Sequence, residues 1–147
     1  MDEWPHESAV QSVFAEVLQG LGWEIESLAD THSKAHGVDV LARKGGRLLG
    51  AEVKGFPTEF YSDPRKAHLI KRTRPTTQAR NWFAKGLLAA MTLRHQDPER
   101  ESLIVLPDHP TYRNLLSKTS TALAAAQVHV VFLTRGRGYD SKCWSAE

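Results

Sequence analysis

Gly37-Val38-Asp39-Val40-Leu41-Ala42-Arg43-Lys44-Gly45-Gly46-Arg47-Leu48-Leu49-Gly50-Ala51-Glu52-Val53-Lys54 reads as two apolar strands folded back on each other. The Gly45-Gly46 pair between two apolar runs is a strong hairpin signal. Folding about that pair places Asp39 opposite Glu52. Opposed residues of antiparallel strands have Cβ atoms roughly 4.5–5.5 Å apart. Glu52 and Lys54 are two apart, so on a strand they share one face. Charged groups among Val38, Val40, Leu49, Ala51 and Val53 are unexpected, because buried charges need a partner or a metal. The three residues therefore form either a structural ion-pair cluster or a site.

The chemistry of that cluster is restricted. Two carboxylates so close repel unless a proton or a cation stands between them. An all-oxygen site suits a hard divalent cation such as Mg²⁺, with Mn²⁺ as a substitute. A neighbouring lysine supports a water or a phosphate as charge develops. A one-residue slip in register would turn these faces around.

Periodicity extends the reading in both directions. From Ser8 to Leu21, apolar residues at 10, 13, 14, 17, 18 and 21 form a helical stripe, ended by Gly20 and Gly22. Trp23 to Ala29 reads as a first strand, and Thr31 to Gly37 as a polar loop. Val38 to Ala42 and Leu48 to Val53 are the second and third strands. Phe56 to Pro75 reads as an irregular, mobile connection. Thr76 or Thr77 is the expected cap of a long helix reaching about Leu93, with Ala79, Trp82, Phe83, Leu87, Ala90 and Met91 as its apolar positions. Leu103 to Leu106 is a buried strand. Pro110 to about Ala126 reads as one helix, Val128 to Leu133 as a last strand, and the tail from Arg135 as loose. The expected fold is α/β in the order α-β-β-β-α-β-α-β.

Asp39 followed by Glu52-Val53-Lys54 resembles the signature of the PD-(D/E)XK nuclease superfamily, with Val38 in place of the proline. Mrr-type, Holliday-junction-resolvase-like and RecB-like nuclease domains are the nearest branches. The resemblance implies a restriction-endonuclease-like αβββαβ core with a mixed central sheet flanked by helices. It spans about residues 7–133, and the final helix and strand extend it. It further implies metal-dependent hydrolysis of phosphodiester bonds, with DNA the expected substrate. Asp39, Glu52, the Val53 carbonyl and a first-helix acid would hold Mg²⁺. Lys54 would orient water or stabilise the transition state. Glu7 is the best match for the helix acid, and its structural alternative is a first-turn acid favourable to the helix dipole. Another alignment lands on Gln11, one turn later. Glu16 lies off the stripe. Gln78 and Trp82 are similar to the glutamine-aromatic motif of RecB-type nucleases, which gives Gln78 a supporting site role; Trp82 alone reads as core.

Composition sets the frame. A chain of 147 residues with net charge +2 is expected to form a single domain. It has no apolar run long enough for a membrane span, no signal peptide, and one cysteine, Cys143, so a cytoplasmic location is expected. No zinc-ligand spacing is present. From Pro64 to Gln96 there is no acidic residue, while Lys66, Lys71, Arg72, Arg74, Arg80 and Lys85 lie there. That stretch is either a solvated face or a nucleic-acid footprint, and its place after the Glu-x-Lys strand favours the footprint. Thr73 is a further candidate for a phosphate contact. A histidine near a site, such as His6, His32 or His36, could serve as general base, but His32 and His36 in the polar loop read as surface residues and Ser33 and Lys34 as loop residues. Trp4-Pro5 is expected to pack over the first helix or a partner subunit. A homodimer or a partner protein supplying specificity suits the function, although no residue demonstrates either. Two other readings stand beside the nuclease: a non-catalytic nucleic-acid-binding module on the same fold, and an α/β domain with a buried ion-pair network.

Overall fold

The computed structural model describes residues 4–30, 37–58, 65 and 74–147. Helix α1 (Glu7–Gly20) leads into strands β1 (Glu24–Leu28), β2 (Val40–Lys44) and β3 (Arg47–Val53). Helix α2 (Pro75–Gln96) crosses to β4 (Arg100–Pro107). Helices α3 (Pro110–Ser117) and α4 (Ser120–Ala126) return the chain to β5 (Val128–Leu133) and a short β6 (Tyr139–Asp140). The six strands form one mixed sheet in sequence order. Strands β1, β2 and β3 are antiparallel, β3, β4 and β5 are parallel, and β6 is antiparallel to β5. The fold is α/β, and its first six elements follow the expected αβββαβ order.

Local chemistry sets the boundaries. The end of α1 is a Schellman turn, in which Gly22 at φ +92° allows Trp23 N–H to reach Leu18 O and Gly22 N–H to reach Gln19 O. The β2–β3 turn places Gly45 at φ +58° between the paired Lys44 and Arg47. Helix α2 begins earlier than the threonines suggested. Pro75 occupies its first position, where a missing N–H costs nothing, and Arg74 is the cap residue.

The sheet separates two cores. On one face Val10, Phe14 and Leu18 of α1 pack on Val40, Ala42, Leu49, Ala51, Val53, Leu103 and Val105. On the other, Ala79, Phe83 and Ala90 of α2, Tyr112 of α3 and Leu123 of α4 pack on Ile104, Leu106, Val130 and Phe132. β4 is buried on both faces, which explains its uninterrupted apolar run. Trp4 packs against the α1-side core.

Two expectations are corrected. The predicted helix from Pro110 to Ala126 is two helices, broken at Lys118-Thr119. Ser117 Oγ donates to Asn114 O at 2.6 Å and Thr119 Oγ1 to Leu115 O at 2.9 Å, and such hydroxyl bonds compete with the helical ladder. The tail beyond Arg135 is not loose. Trp144 and Ala146 are buried in the α1-side core. The Trp144 ring lies against Phe14, Trp23 and Tyr139, and its Nε1 donates to Glu101. Trp23 Nε1 donates to Ala146 O at 2.7 Å, and Arg47 joins Glu101 to the carbonyls of Ser145 and Glu147. The segment straps one side of the sheet. Truncating Trp144 to alanine is expected to lower unfolding free energy by about 3–5 kcal/mol, a large part of a typical domain's stability, as read by urea denaturation.

Candidate active site

The pairing Val40↔Ala51 is the register expected from the turn, and it sets Asp39 opposite Glu52. Asp39 stands immediately before β2 and is tightly held. Its backbone carbonyl accepts from Ala29 N–H at 3.0 Å and from Gln11 Nε2 at 2.9 Å. Its Oδ2 accepts the Val53 N–H at 2.8 Å. On an extended strand the N–H and C=O of one residue leave from the same edge, so the Val53 carbonyl also points toward the Asp39 side.

Strand alternation separates charge from core. Leu49, Ala51 and Val53 enter the α1-side core, so Glu52 and Lys54 emerge on the α2 side. The Lys54 stem runs along α2 at Gly86, where a Cβ would lie 3.7 Å from its Cγ. Glu7 comes from the other layer. It reaches the cluster because α1 begins where β3 ends. The contact is made at Gly55, where an added Cβ would lie 2.5 Å from Pro5 O and 2.6 Å from Glu7 N. Phe56 N–H donates to Pro5 O at 3.0 Å beside it.

The electrostatics record this convergence. Burial, then the charge of Asp39 and a hydrogen bond with it, push the Glu52 carboxyl up to about 7; Lys54 opposes the rise and Glu7 adds to it. Burial and Asp39 likewise raise the Glu7 carboxyl, against the pull of Lys54. The cluster thus carries more negative charge than one lysine balances, and a proton is retained to near neutrality. A divalent cation would replace that proton. Among the described residues no group of three or more His, Cys, Asp or Glu side chains is arranged to hold a metal. Asp39 and Glu52 with the Val53 carbonyl could offer oxygen donors only to an ion that keeps several waters and takes one or two carboxylates.

The remaining expected residues divide. Gln11 is buried and spends its amide on the Ala29 and Asp39 carbonyls, at 2.8 and 2.9 Å, so it braces the strands while Glu7 faces the acids. Glu16 is exposed and pairs with Arg137. On α2, Gln78, Trp82 and Lys85 follow i, i+4, i+7 spacing and share one face, with Arg74 just before it. Trp82 is half-buried and belongs to neither core, contrary to its reading as core. Arg80 is exposed but lies two residues from Gln78, near the opposite side of the helix. His6 is exposed. Lys66, Lys71, Arg72, Thr73, His32, His36, Ser33 and Lys34 lie outside the described residues, as does most of the expected connection before Pro75.

Sequence reasoning missed Gly55, Phe56, His109 and Tyr112. Phe56 stacks on His109 with ring centroids 3.7 Å apart and meets the edge of Tyr112. Tyr112 is fully buried, and its hydroxyl donates to Gly55 O at 2.6 Å. Only Gly55, adjacent to Lys54, carried a signal, since a glycine there permits close backbone approach.

The class defined by fold and site is an α/β domain with, among the described residues, a mixed six-stranded sheet, four flanking helices and a carboxylate-lysine cluster at the end of the third strand. The crystal structure of an XisH family protein from Nostoc punctiforme PCC 73102 shares this fold, with a TM-score of 0.52 and 16% identity over 90% of this chain and 96% of that one. No protein-family model matches the sequence, and no curated protein matches it. Among the described residues no helix is long and apolar enough to cross a membrane.

Two outcomes follow from the geometry. Gly55→Ala forces backbone apart and is expected to destabilise the fold by about 1–3 kcal/mol in denaturant melts. Glu52 has a folded pKa above its ordinary 4.5, so its contribution to stability is present at low pH and lost as pH rises through about 7. In EDTA, the Glu52 contribution to the melting temperature should therefore fall between about pH 4.5 and 7. Glu52→Gln should flatten that slope and melt higher than wild type at the alkaline end, as read by calorimetry.

Proposed function

We propose that this chain is a metal-dependent nuclease of the restriction-endonuclease-like class, acting on phosphodiester bonds in DNA. The observation that carries the reading is the meeting of Asp39, Glu52, Lys54 and Glu7 at one sheet end, with Glu52 pushed up to about 7 by burial and by Asp39. Half-buried carboxylates without a full complement of positive charge are costly to a fold and useful to a cation site. Asp39 and Glu52 with the Val53 carbonyl would hold Mg²⁺ or Mn²⁺, with Glu7 beside them. The ion would supply Lewis acidity to water and to the scissile phosphate. Asp39 is kept in place by Val53 N–H and by the bonds to its own carbonyl. Lys54, braced along α2, offers its ammonium to a phosphoryl oxygen as charge develops there. Arg74 and Lys85, exposed near Gln78 and Trp82, would meet the phosphate backbone. A homodimer or a specificity partner fits this reading.

A second reading, a nucleic-acid-binding module without catalysis, is favoured by one observation: no three-member metal-binding group forms among the described residues. Cleavage separates the two. Plasmid, linear, single-stranded and branched DNA are incubated with Mg²⁺ or Mn²⁺, and bound DNA is measured in parallel. The nuclease reading expects metal-dependent cutting, lost by about 100-fold or more in Asp39→Ala and Lys54→Ala while both variants still melt cooperatively. Cutting that persists in both variants sinks the site. Binding without cutting supports the module.

A further inference from the structure

We propose that Tyr112 is a positioning residue for the carboxylate-lysine site: its buried hydroxyl fixes the Gly55 carbonyl, and through Gly55 it sets where Glu7 stands against Lys54, Asp39 and Glu52. Its kinetic consequences rest on the nuclease reading. Five observations carry it. Tyr112 is fully buried in the core that α2 and α3 share, so the ring has no freedom to swing away. Its hydroxyl donates to Gly55 O at 2.6 Å, across 57 residues of sequence. Gly55 is the point at which β3 and the start of α1 touch backbone to backbone. The next residue, Phe56, is held twice: its N–H donates to Pro5 O, and its ring stacks on His109 and meets Tyr112 edge-on. Lys54 N–H, on the other side of Gly55, donates to Val105 O at 3.0 Å. Gly55 thus lies between two fixed peptides, and Tyr112 fills its remaining acceptor.

The bond is placed to matter for chemistry more than for packing. Tyr112→Phe keeps the ring and its contacts but leaves the buried Gly55 carbonyl without a partner. The cheapest relief is a small shift of Gly55, and α1 must follow because no space separates the two backbones. Misplacement of catalytic groups by about 1 Å can cost about 100-fold in rate.

The test compares wild type, Tyr112→Phe and Leu123→Ala. Leu123 lies in the same core but on α4, and its truncation lowers stability without touching Gly55. Amide hydrogen exchange and steady-state cleavage with Mn²⁺ are measured well below each melting point. Tyr112→Phe is expected to remain folded, to speed exchange at the Phe56 amide, and to lower kcat by about 10–100-fold with little change in KM. Leu123→Ala is expected to change neither. Unchanged kcat in Tyr112→Phe, or an equal fall in Leu123→Ala, overturns the positioning role. Unchanged exchange at Phe56 overturns the tie itself. If wild type cuts nothing while Tyr112→Phe still frees the Phe56 amide, the nuclease reading fails and the tie between Tyr112 and the α1 start is upheld.

Discussion

The start of α1 rests on a glycine, and the site depends on that contact. Gly55 has room for hydrogen but none for a methyl group against Pro5 and Glu7. The approach brings a helix from one side of the sheet to residues that emerge on the other. Without it Glu7 would be a first-turn acid in solvent, and Asp39 and Glu52 would face only each other and Lys54. Much of the surrounding structure holds the contact steady. Phe56 is tied to Pro5, Lys54 to Val105, and the Gly55 carbonyl to Tyr112.

The same geometry gathers charge that the fold alone would avoid. Burial and Asp39 lift both Glu52 and Glu7 above the usual carboxylate range. A structural ion pair would be expected to balance its charges, as Arg47 does with Glu101 elsewhere in this molecule. The contrast between that one-to-one pair and the acid excess at the end of β3 is the physical basis for reading one as scaffold and proposing the other as a site.

The parts legible in the sequence were those with local causes. The Gly45-Gly46 turn fixed the register of β2 against β3, and the register brought Asp39 to Glu52. The stripe of α1 and the apolar run of β4 reported their own burial. The hydroxyl-bonded break between α3 and α4 was hidden, because Ser117 and Thr119 fit a helix as readily as they interrupt one. Trp144 was hidden for another reason: two aromatics five apart in a polar tail make no periodic pattern, and its partners Phe14, Trp23 and Glu101 are distant in sequence. In the site, Asp39, Glu52 and Lys54 were visible through spacing. Tyr112 was not, since its role arises from a contact that only the fold creates. The choice between Glu7 and Gln11 likewise needed the bonds that draw Gln11 to the strand carbonyls.

The strap has a bearing on synthesis. Trp23 and Ala146 are bonded across 123 residues, and the Phe14 and Trp144 rings meet over a similar span. Contacts of such high order form slowly. A chain is made from its N-terminal end, so Phe14 and Trp23 precede by more than a hundred residues the Trp144 ring that lies against them. Until Trp144 arrives, the sheet can cover Val10 and Leu18, but Phe14 and Trp23 lack this part of their packing.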